Sequence, residues 1–560
     1  MRRLMTGAMF VAASAMICGN AFAHNDHYSG NTSSNFSDAG NWSISVPNAG
    51  EWMEFSPAWS TGPSGNNLDM DINGSAQAIY IDASGGVGGS ISINGPGTLT
   101  LGNLGLNMNQ NNNSAVSVAS IGAPLVLGAV QTWLITNSQL TLTGQVSGAP
   151  ALTITGSGGL SSVTFGANDT YSGGTTVSNI SVTVVHDHGL GTGPVTANNS
   201  TLTFNSNDPS LANPNFTASS VTFTRAGGQP TLTNPTLLNS SIDFTASGSP
   251  SIVDMVSDAV GSTNTINLGP STALQVQVDS PATQYFGTIN GGGSVNVTTA
   301  STGELDLNGA NTYSNGTTAN ANVLLVAGND TAFGTGFVAL NSGAALTVAP
   351  GVTVNNQLVV NDGSTVSGYG TIAPAAPEAL TFQNGSAILG GRGTLGSAAG
   401  TSVPGTLTFS NNAALVFGSF GTMQFSIMNA GGVAGTDYSA INAPNSSLTI
   451  SATPSAQFTI QLVSVDPGTH QVGVANFNNA QIYSWTLIST SSIGGFNANS
   501  FLVDSSTDFQ NALGGGTFSV SELGNNLMLN FTPVPEPSTW ALMASGLCAL
   551  GAAVRRRPGK

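Results

Sequence analysis

A few short clusters bring side chains that bind metals or move protons close together in this chain. Asp69-Met-Asp71-Ile-Asn73-Gly74 sets oxygen ligands at alternate positions with glycine sixth, which is the first half of a calcium loop. The twelfth position of such a loop needs a bidentate carboxylate and here holds Tyr80, so the competing reading is a plain Asn-Gly turn after a strand. His186-Asp187-His188 would place two imidazoles on one side of a strand, as a metal pair requires. His24, Asp26 and His27 form a third set near the N-terminus, to be read either as a chelating cluster or as a loose chain end. Glu304 and Asp306, like Asp69 and Asp71, are carboxylates two residues apart, the raw material of acid–base or sugar chemistry once a cation lies nearby. No arginine or lysine is close in sequence to either pair, so no cation is expected near them. Tyr171 and Tyr313 offer rings that would stack on a sugar or, alternatively, on each other's equivalents inside a fold. The chain contains no Gly-x-Ser-x-Gly elbow, no His-Glu-x-x-His and no phosphate loop. The expectation is therefore no catalytic residue, no bound cofactor and no metal ligand set.

The elements that would position such groups are constrained by composition. The 560 residues include 72 Gly, and only 6% are charged, against about 25% in ordinary globular domains. Six Trp and 24 Phe, with abundant Val, Ile and Leu, supply enough apolar surface for a core. Between residues 24 and 537 the positive side chains are Arg225 and Arg392, facing all 25 acids. Such a polyanion lacks the basic stripe that phosphate backbones demand, so nucleic acid is excluded as a partner. Cys18 and Cys548 lie in the two end segments, which leaves the body without a disulfide or thiolate metal site.

Both ends read as addresses. Arg2 and Arg3, an apolar run from Leu4 to Cys18 and then Ala21-Phe22-Ala23 follow the order of a secretory signal peptide, residues 1–23, with Ala21 and Ala23 at the cleavage site. At the other end Pro535-Glu536-Pro537 precedes an apolar run from Trp540 to Val554 and then Arg555, Arg556 and Arg557. Fifteen apolar residues make a short transmembrane helix, and the arginines orient it with that end cytoplasmic. Tripeptide, short helix and terminal arginines together resemble the PEP-CTERM sorting signal of Gram-negative bacteria. The resemblance implies that an exosortase-type protease, embedded in the membrane, recognises the tripeptide and processes the tail in cells that make exopolysaccharide. The precursor is expected to be tethered to the inner membrane by the C-terminal helix and then to reach the envelope, outer surface or extracellular matrix.

The body is repetitive. Gly166-Ala-Asn168-Asp-Thr-Tyr171-Ser-Gly-Gly174-Thr-Thr matches Gly309-Ala-Asn311-Thr-Tyr313-Ser-Asn-Gly316-Thr-Thr, and Gly191-Thr-Gly-Pro-Val195 matches Gly334-Thr-Gly-Phe-Val338. In this alignment Asn168 pairs with Asn311, Tyr171 with Tyr313 and Gly174 with Gly316. The turn carrying His186 and His188 falls opposite Asn329 to Gly334, which has no histidine, and that weakens the metal reading. The strings resemble the autotransporter-associated β-strand repeat, clearest at 151–204 and 289–348. Asn41-Trp42 with Val46-Pro47-Asn48 resembles the opening of such passengers, and the Gly-rich strings at 366–372 and 389–395 resemble their closing turns. The resemblance implies a parallel β-solenoid, although the translocator barrel that ends an autotransporter is missing from the pattern.

Local patterning agrees with that fold. Leu99-Thr-Leu101, Leu140-Thr-Leu142, Leu202-Thr-Phe204, Leu346-Thr-Val348 and Leu407-Thr-Phe409 alternate apolar and polar side chains, as half-buried strands do. Gly, Asn, Ser and Asp between them supply corners, at roughly 20 residues per coil. Residues 121–136 are apolar but interrupted by Pro124 and Gly128, so they read as strands and not as a membrane helix. The expected order is an all-β chain with a β-helix over 24–418, a smaller C-terminal β domain over 419–531, and the sorting tail over 532–560 with its helix at 540–554. The function expected is that of an exported, non-enzymatic surface or matrix protein in adhesion, biofilm or exopolysaccharide-associated assembly, with exopolysaccharide and other surface proteins as partners. The rival is a polysaccharide lyase or hydrolase on the same scaffold.

Overall fold

The computed structural model describes residues 25–56, 66–82, 90–109, 117–255, 261–279, 282–374, 379–392, 402–534 and 537–555. They fall into two contact-dense units, 1–175 with 189–193, and 176–188 with 194–560. Both are parallel β-solenoids, because short alternating segments bury one face while Gly and Asn corners turn the chain back onto itself.

In the first unit Asn25–His27, Trp52–Phe55, Gly74–Asp82, Leu99–Asn109, Gln131–Thr136 and Leu152–Ser157 stack as one parallel sheet. Asn67–Asp69, Ser90–Asn94, Ser117–Ile121, Ser138–Leu142 and Ser162–Phe165 form a second. The coil is longer here than the expected 20 residues. Tyr80 pairs with Asn107 and Asn107 with Leu134, a step of 27, before the step to Thr155 drops to 21. Loop length at the corners, which strand alternation does not encode, sets this difference. Tyr28, Phe36, Trp42 and Phe55 are buried together beside the first strands, with the Trp42 indole donating to the Phe36 carbonyl at 3.0 Å. Residues 121–136 form strands, as expected.

In the second unit the column Ser181–Val184, Thr201–Phe204, Ser220–Phe223, Ser241–Phe244, Thr265–Leu268 and Thr288–Gly291 advances by 19 to 24 residues per coil. Its inward positions are Val182, Leu202, Val221, Ile242 and Ile266, all fully buried. Phe204, Phe223 and Phe244 stack with centroids 5.1 and 5.2 Å apart. Another sheet runs from Thr283–Tyr285 through Gly303–Leu307, Val323–Ala327, Ala345–Val348, Thr365–Gly368 and Ala387–Ile388 to Thr422–Ile427, Phe458–Ser464 and Phe501–Asp508. Parallel pairing thus carries on across residues 418 and 419, where a new domain was expected to begin. What changes there is coil length, which rises to 35 residues between Ile388 and Met423 and 43 between Ile460 and Val503. Antiparallel pairing appears at the end, where Asn526–Thr532 joins Tyr483–Gly494 and Thr517–Leu523.

The many acids have a structural use that needs no cation. Asp187 Oδ1 accepts the Asp208 amide at 3.0 Å, and Asp208 Oδ1 accepts the Gln229 amide at 3.1 Å. Asp254 and Asp279 repeat the device on Asp279 and Ala300, both at 2.8 Å. Asparagines at the corners link in the same direction, with Asn199 donating to Asn179 and Asn234 to Asn213, all four at positive φ. Each such bond ties one coil to the next, which is where a solenoid's stability resides.

The last element is the helix Pro537–Arg555, whose side chains over 542–552 are exposed. No helix among the described residues is long and apolar enough to cross a membrane.

Candidate functional site

The repeat motifs form matching corners inside the coil. Tyr171 and Tyr313 are fully buried, and their hydroxyls meet Thr175 Oγ1 at 2.6 Å and Thr317 Oγ1 at 2.5 Å. Burial pushes both phenols up, far above the usual tyrosine range. Neither ring has a face free to stack on a sugar. Gly174 and Gly316 follow at φ 85° and 89°, a backbone region that disfavours any side chain. One alignment position shifts. Asn311 accepts the Ile289 amide at 2.7 Å, and the residue doing the same in the first copy is Asp169, which accepts the Val146 amide at 2.7 Å. Asn168 is exposed; it is the extra residue of the first copy and not the partner of Asn311.

Several residues of the candidate metal clusters carry structural bonds. Asp71 accepts the Ser37 amide at 2.9 Å and the Ser37 hydroxyl, while Asn73 Oδ1 accepts the Thr98 amide at 2.9 Å. Two of the three would-be calcium ligands are thus spent on stapling neighbouring coils. His186 and His188 are exposed in a turn after Ser181–Val184, not on a strand, and Asp187 between them faces the Asp208 amide. Asp26 is buried against the Ser45 amide at 3.2 Å, and His27 Nδ1 lies 3.1 Å from Glu54; His24 lies outside the described residues. Among the described residues no group of three or more His, Cys, Asp and Glu is placed to hold a metal.

The carboxylate pair at Glu304 and Asp306 is different. Gly303–Leu307 buries Gly303, Leu305 and Leu307, which leaves the two acids side by side on the outer face. Gln284, opposite Asp306 in the previous strand, donates to it at 3.0 Å. Arg392 arrives from the short strand Gly391–Arg392 and places Nη2 3.1 Å from Glu304 Oε2. The expectation that no cation lies near the pair is therefore wrong, because 88 residues of sequence separate groups that coiling brings into contact. Burial raises both carboxyls above their ordinary range, and Arg392 pulls each part of the way back. Asp306 Oδ1 and Arg392 Nε are buried with no hydrogen-bond partner.

Glu304 also lines a cavity of about 650 Å³, together with Asp279, Asn322, Thr365, Thr422 and Gln461. That volume falls within the range of small-ligand sites, roughly 300–1,000 Å³. The Glu304 carboxyl at its wall accepts hydrogen bonds and, when protonated, also donates one, which suits a hydroxyl-rich ligand. Glycoside hydrolysis uses two carboxyls about 5–9.5 Å apart across the bond they cut. Arg392 sits in a Gly-rich string read from sequence as a closing turn, and nothing local marks it as a partner of Glu304.

Of the sorting tail, Pro537 begins the terminal helix and Arg555 ends it, exposed. Pro535, Glu536, Arg556 and Arg557 lie outside the described residues, as do Ala21, Ala23 and the rest of the signal peptide. No curated protein and no solved structure matches the chain. The PEP-CTERM protein-sorting motif matches residues 533–557, and it implies an exported, exosortase-sorted chain with a C-terminal membrane-anchoring signal.

Proposed function

We propose that this is a non-enzymatic surface or extracellular-matrix protein of a Gram-negative cell, acting in adhesion, biofilm or exopolysaccharide-associated assembly. The observation that carries this reading is the PEP-CTERM motif at 533–557 on a β-solenoid in which several acids and asparagines join one coil to the next. In the proposal the body is a passenger of autotransporter-repeat type, held by its tail helix at the inner membrane until exosortase releases it to the envelope or matrix. Comparing a deletion strain with the complemented strain tests it. Loss of surface attachment or matrix retention on deletion is the expected result, and unchanged attachment and matrix with the protein retained in the inner membrane overturns the proposal.

A second reading, a polysaccharide lyase or hydrolase, gains one observation, the Arg392–Glu304–Asp306 cluster beside the 650 Å³ cavity. Incubating the purified body with the producing cell's polysaccharide and measuring new reducing ends or unsaturated sugar decides between the two.

A further inference from the structure

Asp169 is a buried carboxyl, 1% exposed, in the corner that carries Tyr171. Its Oδ1 accepts the Val146 amide, but its Oδ2 is buried with no hydrogen-bond partner. The second repeat shows what belongs at that place. Asn311 Oδ1 accepts the Ile289 amide at the same 2.7 Å, and its Nδ2 donates to the Ala332 carbonyl at 2.6 Å. Thr192 N–H to Tyr171 O and Thr335 N–H to Tyr313 O, both 2.9 Å, fix the correspondence of the two corners. It puts Gly189 where the other copy has Ala332. An amide donates where Asp169 presents an oxygen, so an ionised Asp169 would turn a lone pair toward a place built for a donor. A protonated Asp169 restores it.

We propose that Asp169 is a protonation switch: as the neutral acid it closes this corner in the way Asn311 closes its own, and on losing the proton it loosens the coil around Tyr171. The surroundings fit this role. No cation compensates the charge, since Arg225 and Arg392 are the cations between residues 24 and 537 and neither contributes to its electrostatics. The facing groups are the Val146 amide and the Tyr171 phenol, and that phenol, hydrogen-bonded to Thr175, stays neutral. Burial pushes the Asp169 carboxyl up to about 7, opposed in part by the Val146 amide. An exported protein meets external pH directly, so the transition falls in a range it experiences.

The sign follows from linkage. A carboxyl whose folded value lies above its unfolded one stabilises the fold at low pH, and that stability is lost as pH rises through the folded value. With a displacement of about three pH units, the local opening constant grows roughly a hundredfold between pH 5 and pH 8.

Hydrogen exchange on the full chain, corrected for intrinsic rates, reads this directly. Peptides covering 166–175 should open far more often at pH 8 than at pH 5 in the natural chain, and equally at both in Asp169→Asn. Peptides covering 309–317 should show no such dependence until Asn311→Asp installs it there. A flat profile in the natural chain, or one that survives in Asp169→Asn, overturns the proposal. So does failure of a folded Asn311→Asp to acquire the dependence.

Discussion

Replacing Phe223 by alanine tests whether the coils of the second unit are held by their neighbours alone. Phe223 lies inside the column Phe204, Phe223, Phe244 with ring centroids 5.1 and 5.2 Å away on either side, and it is 3% exposed. Truncating a buried Phe costs about 3–5 kcal/mol, of which each lost ring pair accounts for roughly 0.5–1.5 kcal/mol. In a two-state globular domain that cost would lower protection everywhere. In a stack of coils that touch only their neighbours it is confined, and local opening rises by roughly 10² to 10³·⁵. Hydrogen exchange with mass analysis should show lost protection at Thr201–Phe204, Ser220–Phe223 and Ser241–Phe244, with Val338–Leu340, several coils on, unchanged. Phe223→Leu should retain most of the protection. Equal loss at Val338–Leu340, or none at Ser220–Phe223, would refute the nearest-neighbour argument.

Tyr171→Phe and Tyr313→Phe should each destabilise by about 1 kcal/mol in thermal or denaturant unfolding, because each removes one buried hydroxyl bond to a threonine and leaves that threonine short of a partner. Arg392→Gln removes the charge that lowers both Glu304 and Asp306, so both carboxyls rise further. Since raised carboxyls stabilise at low pH and lose that contribution as pH rises, melting curves should show the variant falling away from the natural chain toward alkaline pH and matching it more closely in acid. Glu536→Gln should leave export intact while trapping an unprocessed chain, which mass analysis of released protein detects as a C-terminus still carrying Trp540 onward.

The features legible in the sequence are those written in consecutive residues. Leu202-Thr-Phe204 predicts one buried and one outward face because strand side chains alternate, whatever the strand pairs with, and Gly174 and Gly316 mark positive-φ corners because glycine alone enters that region freely. The tail is a linear signal, and its order of residues is what the matched motif reads. Register is another matter. In a parallel coil each strand's partner is a whole turn away, and the turn's length is set by corner loops that leave no periodic trace, so the coils of 27 residues near Tyr80 and 43 near Ile460 had no local signature. For the same reason the letters pair Asn168 with Asn311, although position in the corner belongs to Asp169. Arg392 and Glu304, 88 residues apart, are neighbours because successive turns are superposed and Gly391 pairs antiparallel with Gly368, which sets Arg392 within reach of Glu304.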